Sequence, residues 1–159
     1  MRMTLAAMMI ALAAAPAAAR EQSCAPLGEA ELAGLFDRWN RSLATLRPAE
    51  VAGNYARNAV LLPTVSNQPR TTPALIEDYF RTFLAGKPQG AINERHMTIG
   101  CNMATDVGIY TFTLQGPKGP QTVRARYSFV YVPEGGTWKI LHHHSSAMPE
   151  AEPVAAAGR

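Results

Sequence analysis

The sequence predicts an α+β domain in which helices come first and a curved antiparallel sheet wraps around them. Two observations carry this. Apolar residues recur at helical spacing through residues 32–46 and again through 75–84. From Ile92 onward, long segments rich in Val, Thr, Tyr and Phe are cut by turns rich in Gly and Pro. A helix packed on one face of such a sheet leaves a cone with a mouth at one end, so a pocket is expected from topology alone.

The chain opens Met-Arg-Met-Thr, followed by an apolar run from Leu5 to Ala15, Pro16, and Ala17-Ala18-Ala19 before Arg20. A positive start, a short apolar centre and an A-x-A site are the parts of a secretory signal peptide. Residues 1–19 are therefore expected to be removed after Ala19, with export to a periplasm or the exterior and no membrane attachment afterwards. The apolar run is too short to span a bilayer and keep its anchors. Arg2 has no second arginine beside it for the twin-arginine route. Cys24 follows Glu21-Gln22-Ser23, not the small apolar residues that lipidation needs.

The 159 residues carry a formal charge of +3, one unit of which belongs to Arg2 in the leader. With so small a charge and no basic run, nucleic acid is not an expected partner. The two cysteines, Cys24 and Cys101, allow one intramolecular pairing, which an oxidising compartment favours over two separate thiols. Closing so long a loop would contribute about 4 kcal/mol in the entropic view. No C-x-x-C motif is present.

Taken in order, residues 20–27 read as an N-terminal tail and 28–149 as one domain. Leu32, Leu35, Phe36, Trp39, Leu43 and Leu46 form the stripe of a first helix from about Gly28 to Leu46, stopped before Pro48. Pro48 suits the first position of a second, short helix reaching Tyr55. Ala59 to Pro63 reads as a strand and Thr64 to Thr71 as a polar loop. Thr72 caps a third helix with Pro73 at its first position. Leu75, Ile76, Tyr79, Phe80, Phe83 and Leu84 are its buried stripe, and Gly86 with Pro88 its end. Four strands follow: Ile92–Ile99, Thr105–Leu114, Thr122–Val132 and Thr137–Ser146. Glu150 to Arg159, rich in Ala, Pro and Glu, is expected to be disordered.

Several segments together resemble a known superfamily. They are Trp39-Asn40, Tyr55-Ala56, Val60 to Thr64, Asp78-Tyr79-Phe80, Gly108 to Phe112, Arg126 to Tyr131, and Trp138-Lys139-Ile140-Leu141-His142-His143-His144-Ser145-Ser146 running to Pro149. The superfamily is the nuclear transport factor 2-like, or cystatin-like, one. The branch resembled is the bacterial relatives of the calcium/calmodulin-dependent protein kinase II association domain. The resemblance spans about Glu29 to Pro149 and is most specific in the final strand. It implies a cone-shaped fold, a deep pocket, and homo-oligomerisation (at least a dimer) through the outer face of the sheet. These 159 residues contain no kinase segment, so it implies no phosphoryl transfer. The kinase branch lines its pocket with arginines; the aligned positions here fall near Asp78, Thr111 and Ser145, leaving Arg124 or Arg126 as substitutes.

The histidine run carries the most chemistry. On a strand His142 and His144 share one face, while His143 joins Leu141 and Ser145 on the other. Three readings stand side by side: hydrogen-bonded residues of a pocket wall or interface, a titrating acid–base group, or a metal site completed by Asp106 or His96. No second ligand pair sits at a set spacing, so no metal and no cofactor is expected. Arg124 and Arg126 share one face of their strand, either solvated or binding an anionic group inside the cone. Catalytic members of the superfamily, the ketosteroid isomerases and SnoaL-like polyketide cyclases, pair an acidic base with a Tyr or second acid. The aspartates available are Asp37, Asp78 and Asp106, and the hydroxyls Tyr55, Tyr79 and Tyr110.

The expectation is thus an exported, self-assembling domain that binds a small organic ligand. Its pocket is expected to draw on Asn40, Tyr55, Thr111, Arg124, Arg126, His143 and Ser145. The alternative is a pocket enzyme of the isomerase or cyclase kind, with His143, Asp106 and Tyr110 as the catalytic candidates.

Overall fold

The computed structural model describes residues 23–117 and 119–150. The expected leader, and residues 151–159 of the expected disordered tail, lie outside the described residues. Element α1 spans Glu29–Ala44 and buries Leu32, Leu35, Phe36, Trp39 and Leu43, a stripe at the 3.6-residue period. Glu29 and Glu31 in its first turn complement the helix dipole. It ends two residues earlier than the periodicity suggests. Leu46 adopts a left-handed φ of 56° and is 44% exposed, so it turns the chain and does not extend the buried stripe.

Element α2 is one short segment, Pro48–Ala52, with Pro48 in the first turn. It stops before the expected Tyr55 because Asn54 turns the chain. The Asn54 Nδ2 donates to the carbonyls of Glu50 and Val51, each at 3.1 Å, and its Oδ1 accepts from Arg38 Nε at 3.1 Å. Strand β1 can then begin at Tyr55 and run to Leu62. Element α3, Pro73–Phe83, is capped by Thr72, whose Oγ1 accepts from Leu75 N–H at 3.3 Å. Ile76 and Phe80 are fully buried and Tyr79 and Phe83 pack partly buried against the core, while Leu75, expected in the same stripe, is 40% exposed and faces out. A 3₁₀ turn over Leu84–Gly86 follows.

Strands β2 (Gln89–Gly100), β3 (Met103–Gly116), β4 (Gly119–Glu134) and β5 (Thr137–Ala147) form an antiparallel meander. The sheet order is β1-β5-β4-β3-β2, and β1 lies parallel to β5 at the edge. One edge pairing is thus parallel, which the long crossover through α3 and the meander permits. The architecture is the α+β curved sheet under N-terminal helices that the sequence predicts.

The inner face presents Ala125, Tyr127, Phe129 and Tyr131 from β4, with Ala104, Tyr110 and Phe112 from β3. Trp39 sits at the centre, its ring within 5.4–6.4 Å of Phe80, Phe112, Phe129 and His143. Beside Gly108, β2 bulges between Ile92 and Glu94. A Cβ on Gly108 would lie 2.0 Å from the Glu94 carbonyl oxygen, so the bulge and the glycine require one another.

The Cys24–Cys101 disulfide forms, with a sequence separation of 77. It straps residues 23–27 across the end of the sheet. Asn102 accepts from Ala25 N–H at 2.7 Å and donates to the Ser23 carbonyl at 2.9 Å, while Trp138 Nε1–H donates to the Pro26 carbonyl at 3.1 Å.

Candidate functional site

The packing of α3 on the sheet leaves a cavity of about 60 Å³. That is small beside the several hundred Å³ of a pocket that engulfs a drug-sized molecule. A space of that size has room for a small group and not for a whole drug-sized molecule. Its walls are aromatic, from Trp39, Phe80, Phe83 and Phe112. Val65 and Val123, the most exposed of its lining residues, mark the open side. The polar groups on it are His143, Ser145, Tyr110, Thr64 and Tyr79, and none of its lining residues is Asp, Glu, Lys or Arg.

A bulge in β5 decides that His143 is one of them. Val130 pairs with His142, but Tyr131 pairs with Ile140, leaving Leu141 as an extra residue. Inward positions therefore run Trp138, Ile140, then His143 and Ser145. Strict alternation from Trp138 would have turned His142 and His144 inward. The expected companionship of His143 with Leu141 is accordingly corrected: Ser145 shares its face, while Leu141 is the bulge residue and only half-buried.

His143 is 4% exposed. Its ring stacks on Phe129, with centroids 4.1 Å apart, and meets the Trp39 ring edge-on at 5.4 Å. Its Nδ1 lies 2.8 Å from the Tyr55 hydroxyl, which accepts from Trp39 Nε1–H at 3.2 Å, while its Nε2 is buried without a hydrogen-bond partner. Burial, helped by His142 and His144, lowers the ring's pKa from 6.5 to about 3, so it is neutral at physiological pH. Burial raises Tyr55 and Tyr110 well above the ordinary phenol value, and Tyr79 to about 12, so these hydroxyls keep their protons. The Ser145 hydroxyl bonds to Thr64 Oγ1 and to the Tyr110 phenol.

The other expected site residues are dispersed. Asp106 faces inward but away from the cavity, held by Arg95 (Nε to Oδ1 3.2 Å, Nη2 to Oδ2 3.0 Å) and by the Tyr127 hydroxyl, which donates at 2.7 Å. Burial raises its pKa against the pull of Tyr127 and Arg95. A carboxylate with one oxygen hydrogen-bonded and the other ion-paired in this way is a structural brace, so the structure separates Asp106 from His143 and Tyr110. Asn40 satisfies the backbone at Gly90, donating to its carbonyl at 2.9 Å and accepting from its N–H at 2.8 Å. It extends the edge of β2 and does not line the cavity. Tyr55 stands behind His143, in contact with it but outside the lining.

Thr111, Arg124 and Arg126 lie on the outer face of the sheet, opposite the cavity. Thr111 pairs with Arg124 in register and donates to Asn93 Oδ1 at 2.7 Å, and Arg126 Nε donates to Ser146 Oγ at 3.2 Å. The physical reason is strand alternation: β4 commits its odd-numbered aromatics to the core, so its even-numbered arginines point out. His142 and His144 also face outward, whereas Asp106 faces inward and His96 pairs with Glu94 at 2.9 Å. Among the described residues no group of three His, Cys, Asp or Glu side chains could hold a metal.

Four contributors escape a reading of the sequence. Arg95 gives no signal, being one charge in a polar strand. Tyr127 reads as core, and only the fold shows its hydroxyl at Asp106. Arg70 reads as loop, yet it packs over the Tyr79 ring at 5.9 Å, with its Nε buried and lacking a hydrogen-bond partner. Thr64 belongs to a recognisable segment, but only the loop's path brings it to Ser145.

A helix-filled curved sheet with a cavity between α3 and β3–β5 defines the cystatin-like, nuclear transport factor 2-like class of domains. A structure from Novosphingobium aromaticivorans described as an NTF2-like protein with a cystatin-like fold superimposes with a TM-score of 0.65 at 9% identity, over 77% of this chain and 82% of that one. A candidate aromatic ring hydroxylase from the same organism does so with a TM-score of 0.65 at 19% identity, over 74% and 87%. These likenesses show the fold. Within that class the chain belongs to the calcium/calmodulin dependent protein kinase II association domain family, which it matches over residues 28–149. A Xanthomonas campestris protein described as a candidate association domain of this family is 48% identical, with a TM-score of 0.75, over 84% of this chain and all of that one. No curated protein gives a significant match.

Proposed function

We propose that this chain is an exported, self-assembling domain that binds a small organic ligand in the cavity between α3 and the sheet. The observation that carries the reading is the cavity itself: an aromatic slot with an uncharged imidazole and hydroxyls on its wall. Proton abstraction of the isomerase or cyclase kind needs a base. The cavity wall has no carboxylate, and Asp106 is committed to Arg95 and Tyr127. The geometry therefore favours binding over that chemistry.

Self-assembly is supported by family membership and by the outer face of the sheet. There Val107, Ile109 and Val130 are half-buried beside Arg126, His142 and His144, an apolar centre with a polar surround. Export is supported by the leader-like N-terminus and by a disulfide that an oxidising compartment maintains.

Native mass spectrometry of protein recovered from the exported fraction tests the export and assembly parts. The reading expects a chain beginning at Arg20, a mass two hydrogens below that of the reduced form, and a dimer or larger assembly. An outer-face Val107→Asp/Val130→Asp variant is expected to dissociate that assembly without unfolding. A wild-type monomer at micromolar concentration would sink the assembly part. A retained leader would sink the export part.

A further inference from the structure

We propose that the Nε2–H of His143 is the recognition group of the cavity. The site would then select small molecules whose inserted end is apolar and carries one uncharged oxygen acceptor, a ketone or aldehyde carbonyl above all. This rests on the ligand-binding reading above and names the ligand class that reading leaves open.

The argument begins with three buried groups in a row. Trp39 Nε1–H can only donate, and its partner is the Tyr55 oxygen at 3.2 Å. The Tyr55 oxygen is in turn 2.8 Å from His143 Nδ1. If Tyr55 O–H donates to Nδ1, every hydrogen in the row is used except the one on Nε2. If Nδ1 carried the hydrogen instead, the Tyr55 hydrogen and the Nε2 lone pair would both be stranded in the core. Buried polar groups are paired wherever geometry allows, so the first arrangement holds.

Nε2 is then a donor, and it is buried without a partner in a ring that lines the cavity. The stacked Phe129 and the edge-on Trp39 fix the ring plane, and turning the ring over would break its bond to Tyr55. An acceptor arriving through the mouth is the group that would satisfy Nε2. Among aromatic walls lacking any charged side chain, that acceptor is best uncharged and the rest of the inserted end apolar. Burial also keeps the ring from becoming an imidazolium at ordinary pH, which removes the cation that would draw an acid. A competing cation exists nearby. Arg70 lines a second cavity that shares Val65, Tyr79 and Phe83 with the first, so acid binding there is the outcome to be tested against.

Three probes of similar shape separate these cases: acetophenone, α-methylstyrene (C=CH₂ in place of C=O) and benzoate. Their affinities are measured by NMR titration on wild type, His143→Phe and His143→Gln, and the imidazole nitrogen shifts of the free protein report the tautomer. The expected results are an Nε2–H tautomer and roughly tenfold tighter binding of acetophenone than of α-methylstyrene. The ratio is expected to fall to near one in His143→Phe and to return in part in His143→Gln, which retains a donor. If His143→Phe fails to fold, the wild-type ratio and the tautomer decide. An Nδ1–H tautomer, a wild-type ratio near one, or preferred binding of benzoate overturns the proposal. Equal binding of the two neutral probes would leave ligand binding standing without selection by His143. Binding of no probe would overturn both.

Discussion

At the scale of single residues, burial outweighs every other influence on His143. An exposed histidine is a switch near neutrality, but here desolvation lowers the pKa to about 3. The unfolded chain protonates this ring near pH 6.5 and the folded chain near pH 3. Between those values the unfolded state holds more protons, so stability falls as the pH drops through that window. His142, also lowered, acts in the same direction. Asp106, raised, acts in the opposite one, its contribution being present at low pH and lost as the pH rises through its folded value. Each pH unit between the folded and unfolded values of one group is worth about 1.4 kcal/mol. Denaturant unfolding from about pH 7 to about pH 4 is therefore expected to show a loss on the order of 3 kcal/mol. The loss should be smaller in His143→Phe. A wild-type curve flat across that window would contradict the burial of the ring.

At the scale of the strand, two bulges decide which side chains face inward. The extra residue at Leu141 changes the phase of β5, so strict alternation from Trp138 is not carried through. His143 and Ser145, not His142 and His144, complete the inner face after Trp138 and Ile140. The bulge in β2 after Ile92 depends on Gly108, where a side chain would collide with the Glu94 carbonyl. Gly108→Ala is expected to cost about 3 kcal/mol or more in chemical denaturation, at the severe end for a single substitution. It should also disturb the Arg95–Asp106 pair next to the bulge, visible as a change in amide shifts around residues 94–106. Near-wild-type stability would show that β2 can take another register.

How far the site can be read from sequence depends on these same bulges. Strand periodicity correctly separates odd from even positions within β4, and so predicts that Arg124 and Arg126 share a face. It does not say which face is inward, because the choice belongs to the aromatic set that packs on α1. In β5 periodicity misleads on the company of His143, because a one-residue bulge leaves no mark in composition. Asn40, a polar residue beside a buried stripe, needs a partner on sequence grounds alone, but the backbone that supplies it lies fifty residues away.

At the scale of the whole molecule, a disulfide closes the chain onto itself. Cys24–Cys101 ties the segment before α1 to the turn between β2 and β3, and Asn102 and Trp138 hold the strap in place. Replacing both cysteines by serine removes a constraint on the unfolded chain across a separation of 77 residues. About 4 kcal/mol of stability is expected to be lost, read as a lower midpoint in urea. A loss well under about 1 kcal/mol would mean that the strap's hydrogen bonds alone hold residues 23–27 in place.

The sequence by itself determines the fold class, the order of helices and strands, the buried stripes of α1 and α3 apart from Leu46 and Leu75, and the single way two cysteines can pair. These follow from local periodicity, capping and turn chemistry, which need no knowledge of distant neighbours. Only the tertiary structure decides that β1 lies parallel to β5, that the arginines of β4 face away from the cavity, that Asp106 is braced by Arg95 and Tyr127, and that His143 meets Tyr55 and Trp39. Each of those outcomes is set by which strand lies beside which, and in what register. A shift of one residue in that register turns every side chain on a strand to the opposite face.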